Sequence, residues 1–88
     1  MNSIQITGEI IAIAKSLGGQ PWPLEIRRCH HWASCDRPDI LEEFMPDMIE
    51  LVERSGNIPL AETAKSLLPH VRQAAIQYKD ALEKVRRV

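Results

Sequence analysis

Two cysteines and two histidines lie within one stretch of seven residues, at Cys29, His30, His31 and Cys35. Thiolate and imidazole are the ligands that zinc prefers, and a structural zinc site holds four ligands in a tetrahedron. No Cys-x-x-Cys pair is present, and a fourth ligand would have to come from the distant His70. Half-buried cysteines beside surface histidines are therefore the favoured interpretation. We predict no metal ion or other cofactor, although the residue types leave open whether these side chains bind a metal.

The same residues are poorly suited to nucleophilic catalysis. A Cys–His dyad needs a base within hydrogen-bond reach, an orienting group and an oxyanion site in a cleft. A helical chain of 88 residues with four glycines leaves little room for such a cleft. The acidic residues between 39 and 53 are spread as on a solvated helix face, and no Glu-x-x-His pair indicates a di-iron site. We predict no catalytic residues and no enzymatic activity.

The segment from 22 to 32 has the most unusual local composition in the chain. Tryptophan and arginine are the residue types most enriched where protein interfaces carry their binding energy. The alternative is that both tryptophans belong to the core, in a chain with only four aromatic residues. We predict a partner-binding surface formed by Trp22, Arg27, Arg28, His31 and Trp32.

These residues have to be positioned by helices, and the strongest helical signal lies in the last third of the chain. Apolar residues recur there in alternating steps of four and three, at Ala64, Leu68, Val71, Ala75, Tyr78, Leu82 and Val85. This spacing predicts an amphipathic helix over residues 59–88. Such a helix is unstable in isolation and must bury its apolar stripe.

Beyond Pro69 this helix is expected to outrun its neighbour, which leaves part of the stripe exposed. An exposed apolar patch usually marks an interface, and a two-fold symmetric dimer is the commonest way to cover one. We therefore predict a homodimer that self-associates through the residues beyond the proline, namely Ala74, Tyr78, Ala81, Leu82 and Val85.

Two shorter helices are predicted nearer the start. Apolar residues share one helical face over residues 4–17. Thr7 is a candidate N-cap if Ile4 and Ile6 form an extended lead-in, but a helix that begins at Ser3 is equally consistent with the pattern. Gly18–Gly19 is the predicted stop, because glycine readily adopts the left-handed conformation found at helix ends. A proline-rich connector follows, and we predict a short helix over residues 24–35.

A third helix is predicted over residues 38–55. Asp36 is the expected N-cap, and Pro38 is well tolerated in a first helical turn. Pro46 lies inside this helix and is predicted to kink it, because proline removes a backbone donor and clashes with the preceding turn.

The resulting fold prediction is an all-α single domain, 1–88, with four or five helices in a small bundle. Its centre is an antiparallel pair formed by residues 38–55 and 59–88. Pro69 is predicted to kink the second of these helices, or to break it near residues 65–68.

Charge and composition narrow the possible partners. The net charge of −1 argues against a general binder of nucleic acid or membrane surfaces. Residues 36–57 hold seven acidic and two basic side chains, whereas residues 58–88 hold six basic and three acidic, so the two helices are expected to complement each other. No run approaches the ~20 apolar residues of a membrane span. The absence of a signal-peptide pattern and the two cysteines favour a reduced, cytoplasmic location.

The main functional hypothesis is a non-catalytic protein–protein interaction module that acts as an adaptor, inhibitor or regulator of a partner protein. The alternative is a helix-turn-helix-like DNA-binding regulator that uses residues 60–79. In that alternative the turn lies between Leu67 and Val71, and Arg72 and Gln73 face the groove. Nucleic acid is not the expected partner, because the neighbouring acidic helix would repel phosphate.

Overall fold

The computed structural model describes residues 1–87, and four α-helices account for most of them. They are α1, Ser3–Ser16; α2, Leu24–Ser34; α3, Pro38–Arg54; and α4, Ile58–Arg86. No strand occurs in these residues. The all-α prediction is therefore confirmed, with four helices. The last residue of the predicted 59–88 helix lies outside the described residues.

Helix α1 begins with a reciprocal cap. The Asn2 side-chain oxygen accepts a hydrogen bond from the Gln5 backbone N–H at 2.9 Å, and the Gln5 side-chain oxygen accepts one from the Asn2 N–H at 2.8 Å. This capping box satisfies two amides that would otherwise lack partners. Of the two starts that the sequence left open, the helix from Ser3 is confirmed and Thr7 as N-cap is wrong, because Thr7 lies inside the helix and its hydroxyl donates to the Ser3 carbonyl at 2.7 Å.

The Gly18–Gly19 pair ends α1 as predicted. Both residues have positive φ values, of 125° and 77°, which glycine adopts without steric strain. The short helix predicted over residues 24–35 is also confirmed, since α2 begins directly after Pro23.

The start of α3 differs from the prediction. Asp36 lies outside the helix in the left-handed conformation, with a φ of 55°, and its carboxylate accepts a hydrogen bond from the Ser3 hydroxyl. Arg37 occupies the N-cap position, and its guanidinium donates to both carboxylate oxygens of Asp39, at 2.9 and 3.1 Å. Pro38 lies in the first turn, as predicted. Asp36 therefore ties the α2–α3 connection to α1 and does not cap α3.

Pro46 and Pro69 lie inside helices α3 and α4, which continue through them. The predicted break near residues 65–68 is wrong, and the kinks at the two prolines stay predictions. Both prolines are exposed. Proline has no N–H to donate, so Pro46 leaves the Glu42 carbonyl, and Pro69 the Lys65 carbonyl, without a helical hydrogen bond. Residues four apart share a helix face, so both carbonyls lie on the solvent side of their helix.

One hydrophobic cluster joins the four helices. Within residues 1–87 no polar or charged side chain is buried in it. Its stability therefore depends on apolar packing. The largest fully buried side chains come from every helix: Ile6, Ile10, Ile13, Ile26, Cys29, Leu41, Met45, Met48, Val52, Leu67 and Val71.

Helix α3 makes its most extensive contact with α4 and also packs against α2, while α1 packs against α2 and α4. Two ion pairs cross from α3 to α4. Lys65 Nζ lies 3.5 Å from a Glu53 carboxylate oxygen, and Arg72 Nε lies 3.7 Å from one of Glu42. The acidic helix thus lies beside the basic helix, as their charges predict. Because these side chains remain one-third to two-thirds exposed, the pairs contribute little stability.

Helix α4 sets the length of the molecule. Its 29 residues correspond to about 43 Å of helix, and the principal extents of the molecule are 48 × 22 × 19 Å. Helix α3 has only 17 residues, so it covers part of α4 and leaves the C-terminal end without a partner.

Candidate interaction surfaces

The five predicted partner-binding residues lie on α2 or directly before it. Arg27, Arg28 and His31 are exposed. Trp22 and Trp32 are half-buried and pack against the core cluster. The structure therefore brings three polar side chains to the solvent side of α2. We call these five residues the α2 face.

Contacts with aromatic rings position several side chains of the α2 face. Trp22 meets His30 edge-to-face with ring centroids 5.1 Å apart, and Trp32 meets His31 in the same way at 4.8 Å. The Arg28 guanidinium carbon lies 5.6 Å from the Phe44 ring centroid, a cation–π contact. Both tryptophans thus combine the core role with a partly exposed edge, so the two interpretations from sequence are not exclusive.

The predicted self-association residues lie where α4 leaves the bundle. We call residues 76–87 the α4 extension. Ala74 and Tyr78 are half-buried at its base, whereas Ala81, Leu82 and Val85 are exposed. The Arg37 guanidinium carbon lies 5.2 Å from the Tyr78 ring centroid, a cation–π contact between the N-cap residue of α3 and the base of the extension.

The exposure of the apolar stripe changes along α4 although its spacing does not. Val71 is 0% exposed and Ala75 is 1% exposed, but Leu82 is 39% exposed and Val85 is 72% exposed. Ile76 is 55% exposed and lies about 140° around the helix from Val71, on a different face. The stripe therefore continues past the helices that cover it.

A shallow groove beside the start of α1 was missed by sequence reasoning. It has a volume of about 510 Å³ and is lined by Met1, Ile4, Pro38, Tyr78 and neighbouring residues. Ile4 is 82% exposed, the largest exposed fraction among the big apolar side chains of residues 1–87. The signal was present in the sequence, because helical spacing places Ile4 about 200° from Ile6 and therefore away from the buried stripe.

The two cysteines have opposite environments. Cys29 is fully buried, and its thiol donates to the Phe44 carbonyl at a distance of 3.4 Å. Burial, with a further contribution from the Asp47 carboxylate, raises the pKa of the Cys29 thiol to about 12. Because the nucleophilic form of cysteine is the thiolate, Cys29 is chemically inert at neutral pH.

Cys35, in contrast, is exposed at the C-terminal end of α2. Its Sγ atom lies 3.8 Å from His31 Nε2. Cys29 belongs to the core, so the structure does not gather the two cysteines into one site. Within residues 1–87, no group of three or more His, Cys, Asp or Glu side chains is placed to hold a metal ion.

The proposed helix-turn-helix segment, residues 60–79, lies within one continuous helix. The expected turn between Leu67 and Val71 is wrong, because both residues are helical and buried in the core. Arg72 is exposed but lies beside Glu42 of the acidic helix α3. DNA binding by residues 60–79 stays a prediction.

Comparison with known proteins adds no family or relative. No family model matches the chain, and neither the curated proteins nor the solved structures contain a match to it. Within the described part of the chain, none of the four helices has the length and apolar character that crossing a membrane requires.

Proposed function

We propose that this chain is a small non-catalytic protein-binding module that acts as an adaptor, inhibitor or regulator of a partner protein, and that it forms a homodimer through the α4 extension. One observation carries the self-association. The apolar stripe of α4 keeps its spacing from Val71 to Val85, while its exposure rises from 0% to 72%. A helix stripe of this kind is stable in water when another surface covers it.

A second copy of the chain is the occupant that the extension fits. A two-fold symmetric contact brings the same face of each copy together, so the uncovered stripe covers itself. Ala74 and Ala81 flank the stripe and allow two helices to approach closely. Full burial of an exposed Leu or Val side chain contributes about 1.5–3 kcal/mol. Val85 would gain most of this amount, and Leu82 less, because it is already partly covered.

The α2 face is the proposed site for the partner protein. Arg27 and Arg28 are exposed, and neither forms an ion pair with any of residues 1–87. Trp22 and Trp32 supply partly exposed aromatic edges on either side. This combination of arginine and tryptophan is typical of the residues that dominate binding energies at interfaces.

The proposal includes the frame that presents these surfaces. In this frame α3 and α4 are antiparallel, with kinks at Pro46 and Pro69, in a single domain in the cytoplasm. The order of the ion pairs supports the antiparallel direction, since Glu53 near the end of α3 pairs with Lys65 and Glu42 near its start pairs with Arg72.

Sedimentation equilibrium tests the homodimer. We expect wild-type protein at tens of micromolar, a concentration typical of micromolar affinities, to have the mass of a dimer. Leu82→Glu should be monomeric, because burying an unpaired carboxylate in the contact is costly. Ile76→Glu is the matched control, since Ile76 is exposed on the same extension but off the stripe. With a chelator present throughout, a monomeric wild type, or a dimeric Leu82→Glu, would contradict the proposal.

Affinity capture from the native host tests the α2 face. We expect the wild type to retain a specific protein that the double variant Arg27→Ala/Arg28→Ala loses. The control is Lys15→Ala/Lys65→Ala, which removes one exposed cation from α1 and one from α4. Equal retention by all three proteins would exclude the α2 face as the binding site.

A further inference from the structure

His31 and Cys35 form a pair of zinc-type ligands at the end of α2. Their separation of four residues places both side chains on the same side of the helix, and Cys35 Sγ lies 3.8 Å from His31 Nε2. Both residues are exposed, so an ion from solution reaches them without any opening of the core.

The spacing of these two atoms fits tetrahedral zinc. With Zn–S about 2.3 Å and Zn–N about 2.0–2.1 Å, the tetrahedral angle places a sulfur and a nitrogen ligand about 3.6 Å apart. The observed separation of 3.8 Å is close to this value. One ion can therefore contact both atoms after a small side-chain adjustment, without a change in the backbone.

A single chain supplies only half of such a site. Zinc in structural sites takes four protein ligands, and among residues 1–87 no third His, Cys, Asp or Glu is placed to join this pair. Cys29 is buried in the core, and the ring of His30 lies against Trp22.

We propose that two copies of this chain share one zinc ion, with Cys35 Sγ and His31 Nε2 from each copy as its four ligands. A two-fold axis through the ion relates the two ligand pairs and gives a closed Cys₂His₂ set. Each Cys35 thiol loses its proton to solvent as the Zn–S bond forms, and each imidazole binds in its neutral form. The two thiolates neutralise the charge of the ion, so the site adds no net positive charge beside Arg27 and Arg28.

The proposed zinc contact is separate from the α4 contact and does not depend on it. The two lie at the same end of the bundle, because Arg37, two residues after Cys35, contacts Tyr78 at the base of the α4 extension. The test therefore uses the Leu82→Glu background, in which the α4 contact is disabled and any remaining association is due to the metal.

The experiment adds zinc alone to Leu82→Glu protein that was purified without a metal-binding tag and kept in a non-chelating reductant. Calorimetry should show about half an equivalent of zinc per chain, and sedimentation should show a doubling of mass that a chelator reverses. Cobalt in place of zinc should give the thiolate-to-metal charge-transfer band and the strong visible bands of a tetrahedral thiolate site.

Variants assign the ligands. Cys35→Ser should abolish the charge-transfer band and the zinc-dependent dimer, and His31→Gln should abolish the dimer. His30→Gln makes the same chemical change one residue away and should leave both unchanged. Because His31 and Cys35 are exposed, circular dichroism should show unchanged helix content in their variants. One zinc per monomer, unchanged binding in either ligand variant, or no binding at tens of micromolar zinc would overturn the proposal.

Discussion

The two halves of α4 follow the same apolar spacing but lie in different surroundings. In the first half Ala64, Leu67 and Val71 pack into the core, and in the second half Leu82 and Val85 face solvent. Periodicity identifies residues that share a helix face, because it depends only on helical geometry. Whether that face is covered depends on the lengths of the neighbouring helices. The comparison teaches that the same pattern indicates a core in one half and a free surface in the other.

Replacing one leucine in each half gives the largest expected contrast. Leu67 is 2% exposed, so Leu67→Ala should lower the free energy of unfolding by about 2–5 kcal/mol through lost burial and a cavity. Leu82→Ala should cost less than about 1 kcal/mol in the monomer, because Leu82 is 39% exposed and its truncation leaves no enclosed cavity. Urea unfolding measures both changes in the free energy of unfolding, at a protein concentration low enough to keep the chain monomeric. Equal losses would mean that the two halves are covered alike.

The two cysteines show the same contrast between a buried and an exposed side chain, and the burial of Cys29 should make stability depend on pH. Since the pKa of Cys29 is raised to about 12 by burial and an unfolded thiol ionises near pH 8.5, the folded state favours the neutral thiol. This contribution is complete below the unfolded pKa and is lost as pH rises towards the folded one. The loss should reach about 2 kcal/mol near pH 10, measured as the difference between wild type and Cys29→Ala.

Both proteins contain the same lysine and tyrosine side chains, so the titration of these groups cancels when the stability of Cys29→Ala is subtracted from that of wild type. Iodoacetamide provides the control, because exposed Cys35 should react in the folded protein while Cys29 reacts only after unfolding. Parallel stability curves for wild type and Cys29→Ala, or labelling of Cys29 in the native protein, would contradict the burial of this thiol.

A substitution at Gly8, on the uncovered side of α1, should have a smaller effect, which is a gain in the free energy of unfolding. A Cβ added at Gly8 would meet no atom within 4 Å, and alanine favours helix over glycine by about 0.5–1 kcal/mol. Gly8→Ala should therefore raise the free energy of unfolding by that amount in thermal or urea unfolding. Gly56→Ala is the control and should lower it, because Gly56 has a φ of 80°. A loss of stability in Gly8→Ala would show that this face is covered.

The smallest expected effect is on DNA. The α4 extension is basic and uncovered, but the acidic α3 lies beside its base, so we expect no retardation of genomic fragments even at low salt. If retardation occurs, it should fall steeply with salt and weaken in Arg72→Ala and Lys79→Ala. That outcome would establish the DNA-binding alternative in place of the protein-binding module.

Helix positions were predictable because glycine and proline mark their ends. Gly18–Gly19 and Pro38 act through their own backbone geometry, which is local, and the observed helices agree with the predicted ones to within a residue or two. The N-caps were not predictable in this way. Asp36 has a suitable side chain for a cap, but its carboxylate bonds to Ser3, which is 33 positions away in sequence. Only the tertiary structure decides between these two partners.

The candidate sites show the same limit. The tryptophan and arginine composition of residues 22–32 pointed to Arg27, Arg28 and His31, and the structure shows that these three side chains are exposed on α2. Composition predicted half-buried cysteines, whereas the structure buries Cys29 fully and leaves Cys35 exposed. The close approach of Cys35 to His31 depends on the side-chain conformations at a helix end, which spacing alone does not define.

The length of α4 beyond Ala75 has a consequence for melting. Isolated helices of fewer than about 12–15 residues are marginal in water, and the α4 extension is supported beyond Tyr78 mainly by its own turns, with an Arg87–Glu83 ion pair at 2.8 Å. In a monomer this end should therefore fray gradually on heating, before the bundle unfolds cooperatively. Its backbone amides should exchange with deuterium well ahead of those around Leu67, and dimerisation should slow that exchange.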